Sequence, residues 1–406
     1  MLLGLVQWVQ AAEKIDFEDY FMDSTLRIDY IFAGNSTKQF IAIDECSKMA
    51  HWYGKHKHLA ELPLEGNGQI TVKDHKTGIV IYRNSFSTLF QEWLTYPEAK
   101  KNTQSFQNVF LIPMPKKVVD VTLDLRDNHR KITSTLTQTI SPRDILIREK
   151  GKVPLNYITL NEAKNEEKSI KIAFLSEGYT PDEMRTFIED AKVATEALFS
   201  YEPFKSNREN FNVIAVEAPS FESGTSIPHD GVWKNTVLKS HFDTFYSDRY
   251  LTTLNIKDLH DCLAGTPYEH IIVLVNTSMY GGGGILNSYN LSMTHNKWYK
   301  QVVVHEFGHS FAGLADEYAY ENEQIPMYPH NIEPWEPNIT TKVNFKGKWE
   351  NLMKKNKNVG FYEGAGYSLK GVWRGYKECR MRDNSYPEFC PICQQAIQKL
   401  INFYTE

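Results

Sequence analysis

Two histidines stand four residues apart in the segment His305-Glu306-Phe307-Gly308-His309. Residues four apart lie on one face of an α-helix, so both imidazoles can bind the same metal ion. Glu306 follows the first histidine and can reach a water molecule at that metal. Two nitrogen ligands, an open coordination position and an adjacent carboxylate are what zinc-dependent hydrolysis needs. The sequence therefore predicts His305 and His309 as Zn²⁺ ligands and Glu306 as the general base.

A third protein ligand has to come from beyond this helix, because two histidines do not complete a catalytic zinc site. Gly313 can end the helix in a left-handed conformation, and Asp316 follows three residues later. That glycine-to-ligand spacing is the arrangement of metzincin metallopeptidases, although this chain has one more residue between the second histidine and the glycine. Asp316 is the predicted third ligand. Glu317 is the alternative ligand, or a side chain that orients a ligand from outside.

The segment from His305 to Tyr318 resembles the metal-binding segment of the M64 metallopeptidases, the IgA-peptidase-type family. Phe174–Thr180 and the C-terminal segment with Cys379-Arg-Met381-Arg and Cys390-Pro-Ile-Cys393 are similar to that family too. The resemblance covers residues 150–404 and implies a zinc peptidase with Met381 in a methionine turn beneath the metal. The preceding segment resembles the β-rich N-terminal domain often joined to this catalytic domain.

The chain of 406 residues is long enough for two domains. Residues 13–147 consist of strand and turn patterns, such as the alternating Val118–Leu125, and predict an N-terminal β-sandwich. Strands and helices alternate over residues 148–406, which predicts an α/β domain with a mixed sheet. The family resemblance implies that this domain is a metzincin-like zinc-peptidase domain. The predicted fold class is therefore α+β and multidomain.

A run of four glycines precedes Ile285. Glycines let another backbone approach closely. We expect 285–293 to form an edge strand facing the metal, with Gly283, Gly284 and Ile285 binding a peptide substrate by strand pairing. The alternative is a flexible loop before a purely structural strand.

Bulk properties restrict the partners and the compartment. The formal net charge of -5 leaves no basic footprint for nucleic acid, and no apolar stretch is long enough for a transmembrane segment. Residues 1–12 are apolar and end with a small-residue pattern at Val9 and Ala11. They are interpreted as a signal-peptide remnant, which predicts a secreted, periplasmic or cell-surface protein, with a first strand or helix as the alternative.

The chain has five cysteines, at positions 46, 262, 379, 390 and 393. Cys390-Pro-Ile-Cys393 fits half a zinc site or a redox pair, and Cys379 is its one nearby partner in sequence. A local disulfide at the methionine turn and reduced, buried thiols both remain open.

The function predicted from these residues is zinc-dependent endopeptidase activity on protein or peptide substrates. One alternative is a zinc amidase acting on cell-wall peptides. Another is an inactive metalloprotease-like extracellular binding protein, although the intact Glu306 argues against inactivity. The residue that assists the oxyanion is unassigned, with Tyr318, Tyr367 and Tyr386 as candidates.

Overall fold

The structure is a computed structural model and describes residues 15–320 and 327–406. The predicted signal-peptide remnant at residues 1–12 lies outside the described residues. The chain is α+β, with two four-stranded sheets in its N-terminal part, a six-stranded mixed sheet that follows, and a three-stranded antiparallel sheet near the C-terminus.

The N-terminal part consists almost entirely of strands. Their bounds are β1 Phe21–Gly34, β2 Gln39–Ala50, β3 Gly68–Asp74, β4 Val80–Phe86, β5 Gln104–Pro115, β6 Val119–Arg126, β7 Ile132–Ile140 and β8 Arg148–Glu149, with helices α1 Phe17–Tyr20 and α2 Leu89–Trp93. The strand orders are β5-β1-β2-β8 and β4-β3-β6-β7. β8 pairs with β2, so the first sheet takes up two residues beyond the predicted boundary at 147.

Both N-terminal sheets contribute to one hydrophobic core. β6 alternates between buried and partly exposed residues, as the pattern of Val118–Leu125 predicts for a half-buried strand. Its buried Val121 and Leu123 belong to the same cluster as Ile28 and Phe32 of β1. Burial of these side chains holds the two sheets together.

The following part alternates strands and helices. Its elements are β9 Tyr157–Asn161, β10 Ile170–Glu177, α3 Met184–Leu198, β11 Phe211–Val216, α4 Ile256–Leu263, β12 His270–Val275, β13 Gly282–Ile285, β14 Tyr289–Met293 and α5 Tyr299–Ala312. The strand order is β13-β14-β12-β10-β11-β9, with β14, β12, β10 and β11 parallel and both outer strands antiparallel. The C-terminal elements are β15 Ile339–Thr340, α6 Glu350–Lys355, β16 Tyr362–Ala365, β17 Ser368–Arg374 and α7 Pro391–Thr405.

The central strands of the mixed sheet are buried on both faces. All residues of β10 and β12 are buried, which is expected for parallel strands covered from two sides. Phe174 and Leu274 pack into the cluster that contains α3, α5 and α7. Leu175 and Val273 face the other way, into the cluster shared with the N-terminal sheets. The N-terminal sheets and this face of the mixed sheet therefore share one hydrophobic cluster, and α4 packs against β5 between the two parts.

A buried ion pair adds a polar link between the two parts. Arg27 of β1 is fully buried and donates hydrogen bonds to Asp29 and to Asp261 of α4. A buried guanidinium needs such partners, because an unpaired charge in the interior is costly.

None of the helices within 15–320 and 327–406 combines the length and the apolar character that crossing a bilayer requires.

Candidate metal centre

Helix α5 carries the two predicted histidine ligands. Its residues Val303 and Val304 are buried in the cluster that contains Phe174 and Leu274 of the sheet, which fixes the helix in place. The Nε2 atoms of His305 and His309 lie 3.0 Å apart, with the rings on the same side of the helix. The four-residue spacing thus brings the imidazoles together as predicted.

The other ring nitrogen of each histidine bonds to a backbone carbonyl. His305 Nδ1 lies 3.2 Å from the carbonyl oxygen of Arg380, and His309 Nδ1 lies 2.5 Å from that of Leu314. A carbonyl can only accept, so Nδ1 is the donor in both contacts, which leaves Nε2 of each ring facing the candidate metal position. This outer contact is the one that metal-binding histidines use to fix ring orientation and tautomer.

The turn after α5 brings the Asp316 carboxylate close to the Nε2 atoms of both histidines. Gly313 ends the helix with a φ of 58°, in the left-handed region that favours glycine. Asp316 Oδ1 then lies 3.1 Å from His305 Nε2 and 3.4 Å from His309 Nε2. The extra residue before the glycine does not prevent the approach predicted from metzincin spacing.

Buried polar contacts hold this turn. Asn338 is fully buried; its Oδ1 accepts from the Ala315 N–H and its Nδ2 donates to the Ala315 carbonyl. The second oxygen of Asp316 accepts a hydrogen bond from the Tyr367 hydroxyl. Sequence reasoning missed Asn338, because a lone asparagine far along the chain has no local signature.

The three groups also polarise one another. Burial favours neutral His309, but the Asp316 carboxylate outweighs it and raises the pKa of His309 to about 9. Burial likewise favours protonated Asp316, yet the two histidines hold its pKa well below the usual range. The negative charge of Asp316 thus favours a positive charge at the neighbouring histidines. The same charge would favour a cation placed between the three ligand atoms.

Glu306 lies against the edge strand β13. A Cβ atom at Gly282 would be 2.8 Å from Glu306 Oε1, so the absence of a side chain there makes room for the carboxylate. Burial raises the pKa of Glu306. A carboxylate whose proton affinity is raised in this way is better suited to accept a proton near neutral pH.

Met381 lies in a tight turn below α5. The N–H groups of Arg382 and Asp383 both bond to the Cys379 carbonyl at 3.0 Å. Met381 Sδ would lie 3.0 Å from a Cβ at Gly308, which stands between the two histidines along the helix. The turn predicted around Met381 thus packs directly under the face of α5 that carries His305 and His309.

Glu317 points away from Asp316. Its Oε1 accepts from Asn338 Nδ2 at 3.0 Å and lies 3.2 Å from Cys393 Sγ. Its contacts within the described residues include none of the three converging ligand atoms. The structure therefore brings Asp316 to the histidines and Glu317 to the cysteines.

The edge strand differs from the one expected at residues 285–293. β13 covers only Gly282–Ile285, and β14 is the inner neighbour paired with it. Part of the outer edge is already paired, because Gly282 bonds to the backbone of Arg249 and Leu251. Gly283 and Gly284 line the cavity above Glu306, whereas Ile285 lines a second cavity beside it.

These two cavities meet at the cluster of His305, His309 and Asp316. The larger, of about 1120 Å³, is lined by all three converging ligands, Glu306 and a group of aromatic residues. The other, of about 490 Å³, is bounded by both parts of the chain and shares His309 and Asp316 with the first. The larger cavity is also lined by Tyr280, Tyr318, Tyr320, Tyr367, Arg249 and Asn384, whereas Tyr386 is not part of the lining.

Two histidines, a converging carboxylate and an adjacent glutamate on an open cavity form the type of site found in metal-dependent hydrolases. The family model described as IgA Peptidase M64 matches residues 158–359, and the model described as Peptidase M64 N-terminus matches residues 16–137. The chain therefore belongs to the M64 peptidase family. It is a peptidase, and its substrates are proteins or peptides. No curated protein matches the chain.

Proposed function

We propose that the chain is a zinc-dependent endopeptidase in which His305, His309 and Asp316 hold the metal and Glu306 is the general base. The observation that carries the proposal is the convergence of these three ligand atoms within 4.8 Å of one another. A set of two imidazoles and one carboxylate fits catalytic zinc, which takes three protein ligands and leaves one position open. Both Nδ1–carbonyl contacts support this assignment.

Bound zinc would supply an acidified water and polarise the scissile carbonyl. The chain's own residues transfer the protons and orient the metal ligands. Glu306, on the cavity side of α5, accepts the proton of the attacking water and returns it to the leaving amine. Arg380 and Leu314 hold the histidine rings through their carbonyls, and Tyr367 holds Asp316. Of the three tyrosines predicted to assist the oxyanion, Tyr318 and Tyr367 line the larger cavity, so we propose one of these two as the helper. Tyr280 lines the same cavity and is a further candidate.

The cavities favour cleavage within a chain over removal of a terminal residue. Both cavities share His309 and Asp316, so a substrate in extended form has room on either side of the scissile bond. We propose that Gly283 and Gly284 form the wall along which it lies, with Ile285 contacting it from the second cavity. Because Gly282 is already bonded, strand pairing with substrate is expected at Gly284.

We further propose that the peptidase part has a metzincin-like fold and the N-terminal part is a β-sandwich. The support is the order of mixed sheet, ligand helix, left-handed glycine and methionine turn, and the core shared by two four-stranded sheets. The domain bounds 13–147 and 148–406 stay predictions. Export to the cell surface, periplasm or medium is proposed from residues 1–12 alone, and cell fractionation tests it.

The test is to incubate the full chain with a peptide library and to identify the products by mass spectrometry. We expect internal cleavage that a zinc chelator abolishes and that Glu306→Gln lacks, while the variant keeps its zinc. Cleavage only at chain ends would contradict endopeptidase activity. Hydrolysis of cell-wall peptides alone would instead favour the amidase alternative.

A further inference from the structure

Four buried side chains form a second cluster beneath the candidate metal centre. Glu317, Cys379, Cys390 and Cys393 place one ligand atom each within 4.8 Å of all the others. Glu317, Cys379 and Cys393 are fully buried and Cys390 is 2 % exposed. We call these four residues the thiol–carboxylate cluster. The proposed peptidase mechanism uses none of them.

The spacing within the cluster suits four ligands around one ion. The Sγ atoms of Cys379 and Cys393 are 3.6 Å apart, and Oε1 of Glu317 lies 3.2 Å from Cys393 Sγ and 3.9 Å from Cys390 Sγ. Zn–S bonds of about 2.3 Å in a tetrahedron place two sulfur atoms about 3.8 Å apart. Zn–O bonds of about 2.0 Å shorten the sulfur-to-oxygen edges to about 3.5 Å.

A disulfide does not account for the cluster. All three cysteines are free thiols, and the 3.6 Å between Cys379 and Cys393 far exceeds a covalent sulfur–sulfur bond of about 2.05 Å. A third thiol and a carboxylate at the same point would also be left unexplained by one disulfide.

The carboxylate of Glu317 gives the strongest indication that the cluster binds a cation. Its Oε2 atom is buried and has no hydrogen-bond partner within the described residues. Its Oε1 atom receives one amide hydrogen bond, from Asn338, and no lysine, arginine or histidine of 15–320 and 327–406 forms an ion pair with it. A buried carboxylate beside three thiols is costly unless a cation neutralises it.

We propose that the thiol–carboxylate cluster binds a second, structural metal ion of the Zn²⁺ type, distinct from the candidate catalytic one. Thiolates select soft, tetrahedral ions, and a closed set of four protein ligands is typical of structural zinc rather than catalytic zinc. The backbone N–H of Cys390 lies 3.2 Å from Cys379 Sγ and supports a thiolate there.

The position of the cluster explains what such an ion would do. Glu317 directly follows Asp316, and its N–H bonds to the Met381 carbonyl at 2.8 Å. Cys379 precedes Met381 by two residues, and Cys390 and Cys393 begin α7. One ion would therefore tie the turn that carries Asp316 to the methionine turn and to the C-terminal helix.

The test uses the full chain purified without chelator. Elemental analysis should give about two zinc ions per chain, and about one in the His305→Ala/His309→Ala variant. That variant, after exchange with Co²⁺, should still show thiolate-to-cobalt charge-transfer absorption, which histidine and carboxylate ligands do not produce. Its activity is not needed for either measurement.

The Cys390→Ser/Cys393→Ser variant should hold about one zinc and lose the charge-transfer absorption. Cys46→Ser/Cys262→Ser is the matched control, since both cysteines lie outside the cluster, and it should keep both ions and the absorption. If the cluster variant fails to fold, the cobalt spectrum of the histidine variant decides alone. Absence of the charge-transfer band there, or a Cys379–Cys393 disulfide found by mass spectrometry in the native chain, would overturn the proposal.

Discussion

Gly282→Ala offers a test of the general base that leaves every ligand atom untouched. The added Cβ would lie 2.8 Å from Glu306 Oε1 and 3.0 Å from its Cγ and Cδ atoms. Non-bonded carbon contacts are ordinarily about 3.5–4.0 Å, so the glutamate side chain must retreat by roughly 0.5–1 Å. The clash is with the end of a flexible side chain, so we expect the fold to tolerate it.

The loss of activity should exceed the loss of stability. A general base must stay within hydrogen-bond reach of the proton it takes, and a misplacement of about 1 Å can cost about 100-fold in rate. We therefore expect kcat to fall by about 10- to 100-fold, with zinc content unchanged and Tm lowered by no more than a few degrees. Quenched fluorescent peptides chosen from the library products give kcat, and calorimetry gives Tm.

Two further variants make the Gly282→Ala result interpretable. Gly360→Ala is the matched control, because the nearest atom to its Cβ would be 4.0 Å away. It should keep wild-type kcat. Full activity of Gly282→Ala beside an inactive Glu306→Gln would show that Glu306 does not occupy this position during the reaction, and the geometric reasoning would be wrong.

Three other outcomes follow from the same geometry. Glu306→Gln should lose at least about 10²-fold in kcat while binding zinc normally, which activity assays and elemental analysis check together. Asn338→Ala should remove the clamp on the Asp316 turn and weaken zinc binding by about 10- to 100-fold, as measured by competition with a chelator; unchanged affinity would refute the clamp. Zinc binds neutral imidazole, and the pKa of His309 is raised to about 9 in the metal-free site, so protons compete with the metal below that pH. The apparent affinity should rise by up to about tenfold per unit between about pH 6 and 8, and a flat titration would contradict this competition.

The helix-borne part of the site could be predicted from sequence because its geometry is local. His305 and His309 need only a helix, and the left-handed Gly313 turns the chain so that Asp316 can approach them. The contacts of Asn338 that hold this turn had no local signal in the sequence. The three valines directly before the motif, Val302 to Val304, also predict a buried helix. The strand pattern of β6 was equally local, and the prediction was confirmed.

The edge strand could not be placed by the same means. Three of the four residues of β13 are glycine, so the segment has no alternating pattern and takes its extended form from pairing with β14. The residues after Ile285 turn back and continue as the inner strand. Sequence reasoning therefore assigned the edge to residues on the wrong side of the turn.

The thiol–carboxylate cluster could not be predicted from the sequence for a related reason. Its ligands come from three separate places: the turn after α5, the methionine turn and the start of α7. The Cys390–Cys393 pair fits half a zinc site or a redox pair, and the position of Glu317 beside Asp316 relates it in sequence only to the histidines. No spacing rule connects a glutamate to cysteines more than sixty residues later.

Because Asp316 and Glu317 are adjacent and face different clusters, the turn that carries them cannot shift by one residue without disrupting both clusters. Successive side chains in an extended or turn conformation diverge, so one carboxylate faces the histidines while the next faces the thiols. A shift by one residue would place the wrong side chain at both sites at once, and the Met381 carbonyl bonded to Glu317 N–H resists such a shift. If both clusters bind metal, total zinc content cannot identify the third catalytic ligand, because Asp316→Ala and Glu317→Ala would each release one ion. The thiolate-to-cobalt absorption separates them, because it should survive in Asp316→Ala and be lost in Glu317→Ala.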